Sequence, residues 1–130
     1  HGPEPDMEFR FAGHLATQRI GPIDTSVLSK GWLLFGPSLT AAVGPWGVSY
    51  AANISGDSTG IGAWTEEQFF RAMREGKYKG LEGGRPMLPP MPWPNFAKLK
   101  DDDLRAIFLY LKASKPIDNV VPAPKQLSSL

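Results

Sequence analysis

Apolar residues fall at helical spacing in two segments, both in the C-terminal half of the chain. In the first, Phe69, Phe70, Ala72 and Met73 make a stripe that needs cover on one side. Thr65 stands where an N-cap belongs and Gln68 three residues on, the pattern of a capping box, while Trp64 and Phe69 occupy the two positions of a hydrophobic staple. Glu66 and Glu67 suit the positive end of a helix dipole and Gly76 supplies a left-handed stop, so the pattern predicts a helix over 65–75. In the second, Leu104, Ile107, Phe108 and Leu111 repeat at i, i+3, i+4, i+7, with Leu109 and Tyr110 widening the face toward packing on two sides. Asp101, Asp102 and Asp103 favour its start, Lys112 and Lys115 its end, and Pro116 stops it, which predicts a helix over 101–114.

The stretch 83–96 between them carries Pro86, Pro89, Pro90, Pro92 and Pro94, five prolines within nine residues, and this excludes a helix interior or a central strand. It is expected to be a stiff loop. Proline narrows φ before folding, so holding such a loop in one shape costs little entropy, which suits the presentation of Met87, Met91 and Trp93 at a defined place. The plainer account is a polyproline ligand for an aromatic groove, a motif more at home in disordered tails. Residues 1–50 read as mostly irregular. Short apolar groups such as Trp32-Leu33-Leu34-Phe35 and Val48-Ser49-Tyr50 alternate with Gly21-Pro22, Gly36-Pro37 and Gly44-Pro45 turn punctuation, with one helical turn near Thr25–Ser29. Residues 116–130 read as an extended surface tail.

Composition narrows the picture. At 130 residues, 42% of them hydrophobic, the chain is sized for one domain with one core, residues 1–130. The 14 glycines and 13 prolines indicate a loop-rich fold, which a bulky buried cofactor would help to pack. A net charge of +1 lacks the one-sided field that selects nucleic acid or an anionic membrane surface, and no apolar run reaches the roughly 20 residues needed to span a bilayer. No signal peptide opens the chain, so an exported protein would have lost its own already. The absence of cysteine removes disulfides, thiolate ligands, thiol nucleophiles and thioether attachment of a cofactor by these residues.

Enzyme signatures are missing too: no phosphate-binding glycine loop, no nucleophile elbow, no paired histidines on a helix. Asp101–Asp103 are accounted for as a solvated helix start. The residues left with affinity for a soft metal or haem iron are His1, His14, Met7, Met73, Met87 and Met91. Met73 belongs to the helix stripe and reads as core, Met7 lies in a polar loop, His14 has the plain reading of a hydrogen-bonded structural histidine, and His1 that of an ordinary first residue.

Four stretches taken together resemble the body of a bacterial class I c-type cytochrome. They are Tyr50-Ala51-Ala52-Asn53-Ile54, Thr59-Gly60-Ile61-Gly62-Ala63-Trp64-Thr65-Glu66-Glu67-Gln68-Phe69, Arg85-Pro86-Met87-Leu88-Pro89-Pro90-Met91-Pro92-Trp93-Pro94, and Asp103-Leu104-Arg105-Ala106-Ile107-Phe108-Leu109-Tyr110-Leu111-Lys112. Each piece is weak alone; their order and spacing over residues 44–122 are specific. The resemblance implies a small all-α, loop-rich fold, haem c as cofactor and Met91 as the distal axial ligand of its iron. It further implies Tyr50, Trp64, Met87, Pro90 and Trp93 as pocket walls and Arg85 as a propionate partner. The family's C-x-x-C-H motif and the N-terminal helix bearing it have no counterpart here, so the proximal ligand is expected on a segment outside this sequence. Such cytochromes pack the last helix across the first, and each Leu or Phe left uncovered forfeits about 1.5–3 kcal/mol. Lys100 also replaces the usual Ser or Thr cap, a loss of about 1 kcal/mol.

Three functional readings follow. In the first the chain is the larger part of an exported mono-haem cytochrome, an electron carrier rather than a catalyst. It works in the periplasm or cell exterior with a redox partner or within a respiratory or dehydrogenase assembly. In the second, His1 and His14 form a copper site resembling the histidine brace of copper-dependent polysaccharide monooxygenases and copper carriers, in a haem-free secreted protein. In the third a cytochrome-like frame serves as a non-catalytic docking module, its last helix the partner surface.

Overall fold

A computed structural model describes Glu4 and residues 6–130. After 3-10 turns at Met7–Phe9 and Thr25–Lys30 come three strands, β1 (Leu34–Phe35), β2 (Ala41–Gly44) and β3 (Gly47–Tyr50). Three helices follow: α1 (Glu66–Glu75), α2 (Trp93–Phe96) and α3 (Asp101–Lys112), with further 3-10 turns at Tyr78–Gly80 and Leu127–Ser129.

The all-α expectation is overturned by an antiparallel sheet of order β1-β2-β3, in register Leu34 with Val43 and Ala41 with Tyr50. Two of the Gly-Pro pairs read as loop punctuation are its turns: Gly36 begins the β1–β2 connection, and Gly44 pairs with Gly47 around Pro45-Trp46. The strands escaped the pattern because they are two to four residues long and every position of β2 is buried, so no alternation marks a wet face.

The helices obey local signals. Thr65 Oγ1 accepts the Gln68 N–H at 3.1 Å, and Gln68 Oε1 accepts the Thr65 N–H at 2.9 Å, closing the capping box at the start of α1. Gly76 ends α1 at φ 66°, its N–H donating to the Ala72 carbonyl. Lys100 makes no capping bond, and the three aspartates of the first turn of α3 supply the favourable charge instead. The 83–96 stretch differs from a pure loop: it closes with α2, where Pro94 sits in the first turn and no intrahelical N–H is lost.

One apolar core joins Ile61, Phe69, Leu104, Phe108 and Leu111, with Phe11, Ile54, Trp64, Phe70, Met73 and Leu99 packed around it. Three of the four stripe residues of α3 are thus buried by this chain; only Ile107 stays exposed, at 36%, as do the flanking Leu109 and Tyr110. Arg74 and Arg105 join α1 to α3 across this core, through pairs with Asp101 and Glu66, both at 2.7 Å, and both guanidinium groups lie about the Phe70 ring.

The sheet connects to this core through buried amides. Asn53 Nδ2 donates to the Ile117 and Asn119 carbonyls, and Asn119 reaches back to residues 12–16. Thr59 belongs to the same web: its hydroxyl, and then its N–H, holds the Asp57 carboxyl below the ordinary aspartate range. The segment after Pro116 is therefore more than a surface tail. Asn119 is buried, and Lys125 exchanges backbone hydrogen bonds with Val48 at the open side of β3.

Candidate functional site

The loop bearing the two methionines is anchored at both shoulders. On one side it rests on Gly76: the Met87 N–H donates to the Gly76 carbonyl at 2.7 Å, and the Trp93 indole lies so close over the Gly76 Cα that a Cβ there would overlap the ring. The terminator of α1 is thus also the seat of the loop. Gly76→Ala is expected to lower stability by about 2 kcal/mol, from the positive φ and the displaced Trp93 together. Gly83→Ala, which meets nothing within 4 Å, should stay within about 0.5 kcal/mol of the parent in the same denaturation experiment.

The other shoulder is tied to the sheet. Ser49 Oγ donates to the Pro89 carbonyl at 2.6 Å and accepts the Trp46 Nε1–H at 3.0 Å. Trp46 belongs to the β2–β3 turn, where its ring covers Gly44 too closely to admit a Cβ. Neither Ser49 nor Trp46 stands out in the sequence as a site residue. The signal that finds them is Gly44-Pro45-Trp46-Gly47 between apolar neighbours, the form of a tight hairpin whose turn residue has somewhere to point.

Between these anchors Met91 is 37% exposed, its backbone N–H donating to the Leu88 carbonyl, while Met87 and Trp93 are half-buried and Pro90 is exposed. A thioether is a soft donor that stays uncharged at any pH, so an exposed methionine on a braced loop fits one axial position of a haem iron. Arg85 has its guanidinium 3.9 Å from the centroid of the Tyr78 ring, with one N–H on the Pro86 carbonyl, and the residue is exposed. Trp64 packs against the helical core at the start of α1, about 15 Å along that helix from Gly76. Tyr50, next to Ser49, stacks on His14 with ring centroids 4.6 Å apart. Met87, Pro90, Met91 and Trp93 therefore stand within seven residues of one stretch, with Tyr50 one residue from its tether, while Trp64 packs on the helical core and Arg85 on Tyr78.

His14 is 1% exposed and both its ring nitrogens are engaged, Nδ1 with Thr40 Oγ1 at 2.8 Å and Nε2 with the Gln18 carbonyl at 3.3 Å. This is the structural histidine of the plainer reading, and a copper ion would have to break one of these bonds. His1, the other half of that pair, lies outside the described residues. Among the described residues no group of three His, Cys, Asp or Glu side chains is placed to hold a metal. A cavity of about 300 Å³ between Met7, Arg10, Phe11, Tyr110 and Lys115 is lined by none of the loop residues. No helix among the described residues is long and apolar enough to cross a membrane.

No protein-family model matches the chain. It is similar to the cytochrome c subunit of a quinone-dependent alcohol dehydrogenase from Gluconobacter oxydans, 41% identical over 75 residues, or 56% of this chain and 15% of that protein. It is also similar to the gluconate 2-dehydrogenase cytochrome c subunit of Pantoea cypripedii, 37% over 82 residues, covering 62% and 18%. A nicotinate dehydrogenase subunit from Pseudomonas putida is 39% identical over 80 residues, covering 61% and 6%. The chain thus spans less than a fifth of the length of each of these relatives.

Proposed function

We propose that this chain is the larger part of a mono-haem c-type cytochrome unit that carries electrons for a dehydrogenase assembly. The observation that carries the reading is the 37–41% identity to cytochrome c subunits of two such enzymes, and the braced, partly exposed Met91 agrees with it. When bound, haem supplies a one-electron iron couple.

In this reading the residues of the chain divide the work. Met91 would hold the iron through its thioether, a soft donor that would favour the reduced state. Met87, Pro90 and Trp93 form the wall beside it and keep water from the iron, with Tyr50 and Trp64 lining the more distant parts. Arg85 keeps donors at the surface, where they suit a propionate. Residues 1–130 act as one domain, and since they hold no cysteine, the thioether bonds and the proximal histidine come from outside them. Haem of this type is attached after export, so the unit works in the periplasm or cell exterior. The partner is the dehydrogenase subunit that reduces the unit, or the acceptor that oxidises it.

The test is the protein from its native source, examined by absorption spectrum and intact mass. The expected result is haem absorption that resists extraction with acid acetone, in a species heavier than the 14.2 kDa of this sequence. A haem-free protein of 14.2 kDa would sink the proposal.

A further inference from the structure

We propose that Ser49, oriented by Trp46, is a positioning residue for Met91, and that the β2–β3 hairpin thereby sets how firmly the methionine holds iron; this rests on the haem reading above. Ser49 is 6% exposed, and its hydroxyl has one hydrogen to give. Trp46 Nε1–H, at 3.0 Å, occupies a lone pair of that oxygen and leaves its hydrogen for the Pro89 carbonyl at 2.6 Å. Pro89 stands two residues before Met91, and Pro90 between them narrows φ, so a fixed Pro89 carbonyl restricts where the Met91 backbone can go.

The arrangement is built for this contact. Gly44 is bare so that the indole can lie across β2, and Ser49 and Pro89 stand 40 positions apart with all of α1 between them, so the bond is a tertiary tether and not part of a local turn. The second anchor, at Gly76, holds Met87 and Trp93, and among the described residues it makes no hydrogen bond to the span 88–91. Among the described residues, the backbone of Leu88–Met91 has two hydrogen-bond ties in the structure: the Met91 N–H to Leu88 within the span, and the Ser49 hydroxyl to Pro89 from outside it. Loss of the serine hydroxyl therefore releases the ligand loop from the sheet.

The experiment uses the native protein and its Ser49→Ala, Ser49→Thr and Trp46→Phe variants, with two readouts. Hydrogen exchange of the Met91 amide reports the loop whether or not haem is present. Affinity for added imidazole, which competes with a thioether for iron, reports the ligand. Ser49→Ala should speed Met91 exchange and tighten imidazole binding about three- to tenfold, with exchange in the middle of α1 and α3 unchanged. Ser49→Thr keeps the hydroxyl and should restore both; Trp46→Phe, which leaves the hydroxyl unoriented, should give a smaller change in the same direction. Unchanged Met91 exchange in Ser49→Ala overturns the tether irrespective of haem. Faster exchange with unchanged imidazole affinity overturns its influence on the ligand. If Met91→Ala itself leaves imidazole affinity unchanged, the fault lies in the assignment of Met91, and the positioning role falls with it.

Discussion

Met91→Ala is expected to abolish the methionine-to-iron charge-transfer absorption of the oxidised protein and to lower its reduction potential by roughly 0.1–0.3 V, within the ~0.8 V range that axial ligands span. The thioether stabilises ferrous over ferric iron because it is a soft, neutral donor; water or hydroxide in its place reverses that preference. Folding should hardly notice. The residue is 37% exposed and its side chain makes no hydrogen bond among the described residues, so stability of the polypeptide should change by less than about 1 kcal/mol. Met91→His keeps a sixth ligand but a harder one, and should also lower the potential while preserving six-coordination. Met87→Ala is the control from the same loop: its backbone keeps the bond to Gly76, and the charge-transfer absorption should persist. A redox titration followed by absorption separates these cases. A potential unchanged in Met91→Ala removes Met91 from the iron.

Asn119→Ala should lower stability by about 3–5 kcal/mol, or Tm by about 10–20 °C. The Asn119 side chain donates to the Ala12 carbonyl at 2.9 Å and to the His14 carbonyl at 3.0 Å, and its Oδ1 accepts the Ala16 N–H at 2.8 Å. Residues 12, 14 and 119 are all buried, so water cannot replace the amide, and the two carbonyls lose their partner in a medium where that is costly. Through its own backbone Asn119 also accepts from Asn53 Nδ2 and donates to Thr59 Oγ1, so three distant segments loosen together. Asn119→Asp is as instructive: it turns a donor facing two carbonyls into a third acceptor, and should cost at least as much as alanine. Thermal unfolding of the two variants beside the parent decides the matter, and a loss below about 1 kcal/mol in both would show that the web relaxes around the gap.

The Asn119 effect lies outside what any local pattern announces, and the contrast with α1 shows why. The capping box of Thr65 and Gln68, the staple of Trp64 and Phe69 and the stop at Gly76 all act within one helix, between residues at most a few positions apart, so the order of residues suffices to read them. The face of α3 was legible for the same reason, and Leu104, Phe108 and Leu111 are buried along it. The prolines of 83–92 were legible too, as a bar to a helix interior, and no helix forms there before α2. The sheet was hidden by its own burial: in β2 each of Ala41, Ala42, Val43 and Gly44 is covered, and a strand with no wet face leaves no alternation.

Residue order alone therefore determined the two long helices, since each depends on short-range geometry and on the chemistry of single side chains, while it was the likeness of residues 85–94 to a cytochrome loop that singled out Met91 as a candidate ligand. Tertiary structure alone decided what the loop is fastened to and what His14 is for. Ser49 meets Pro89 across 40 residues and Asn119 meets Ala12 across 107, while Thr40 meets His14 across 26. Hydrogen bonds of that reach leave no periodicity in the chain, and they form only once the hairpin and the helical core have brought their partners within 3 Å of each other.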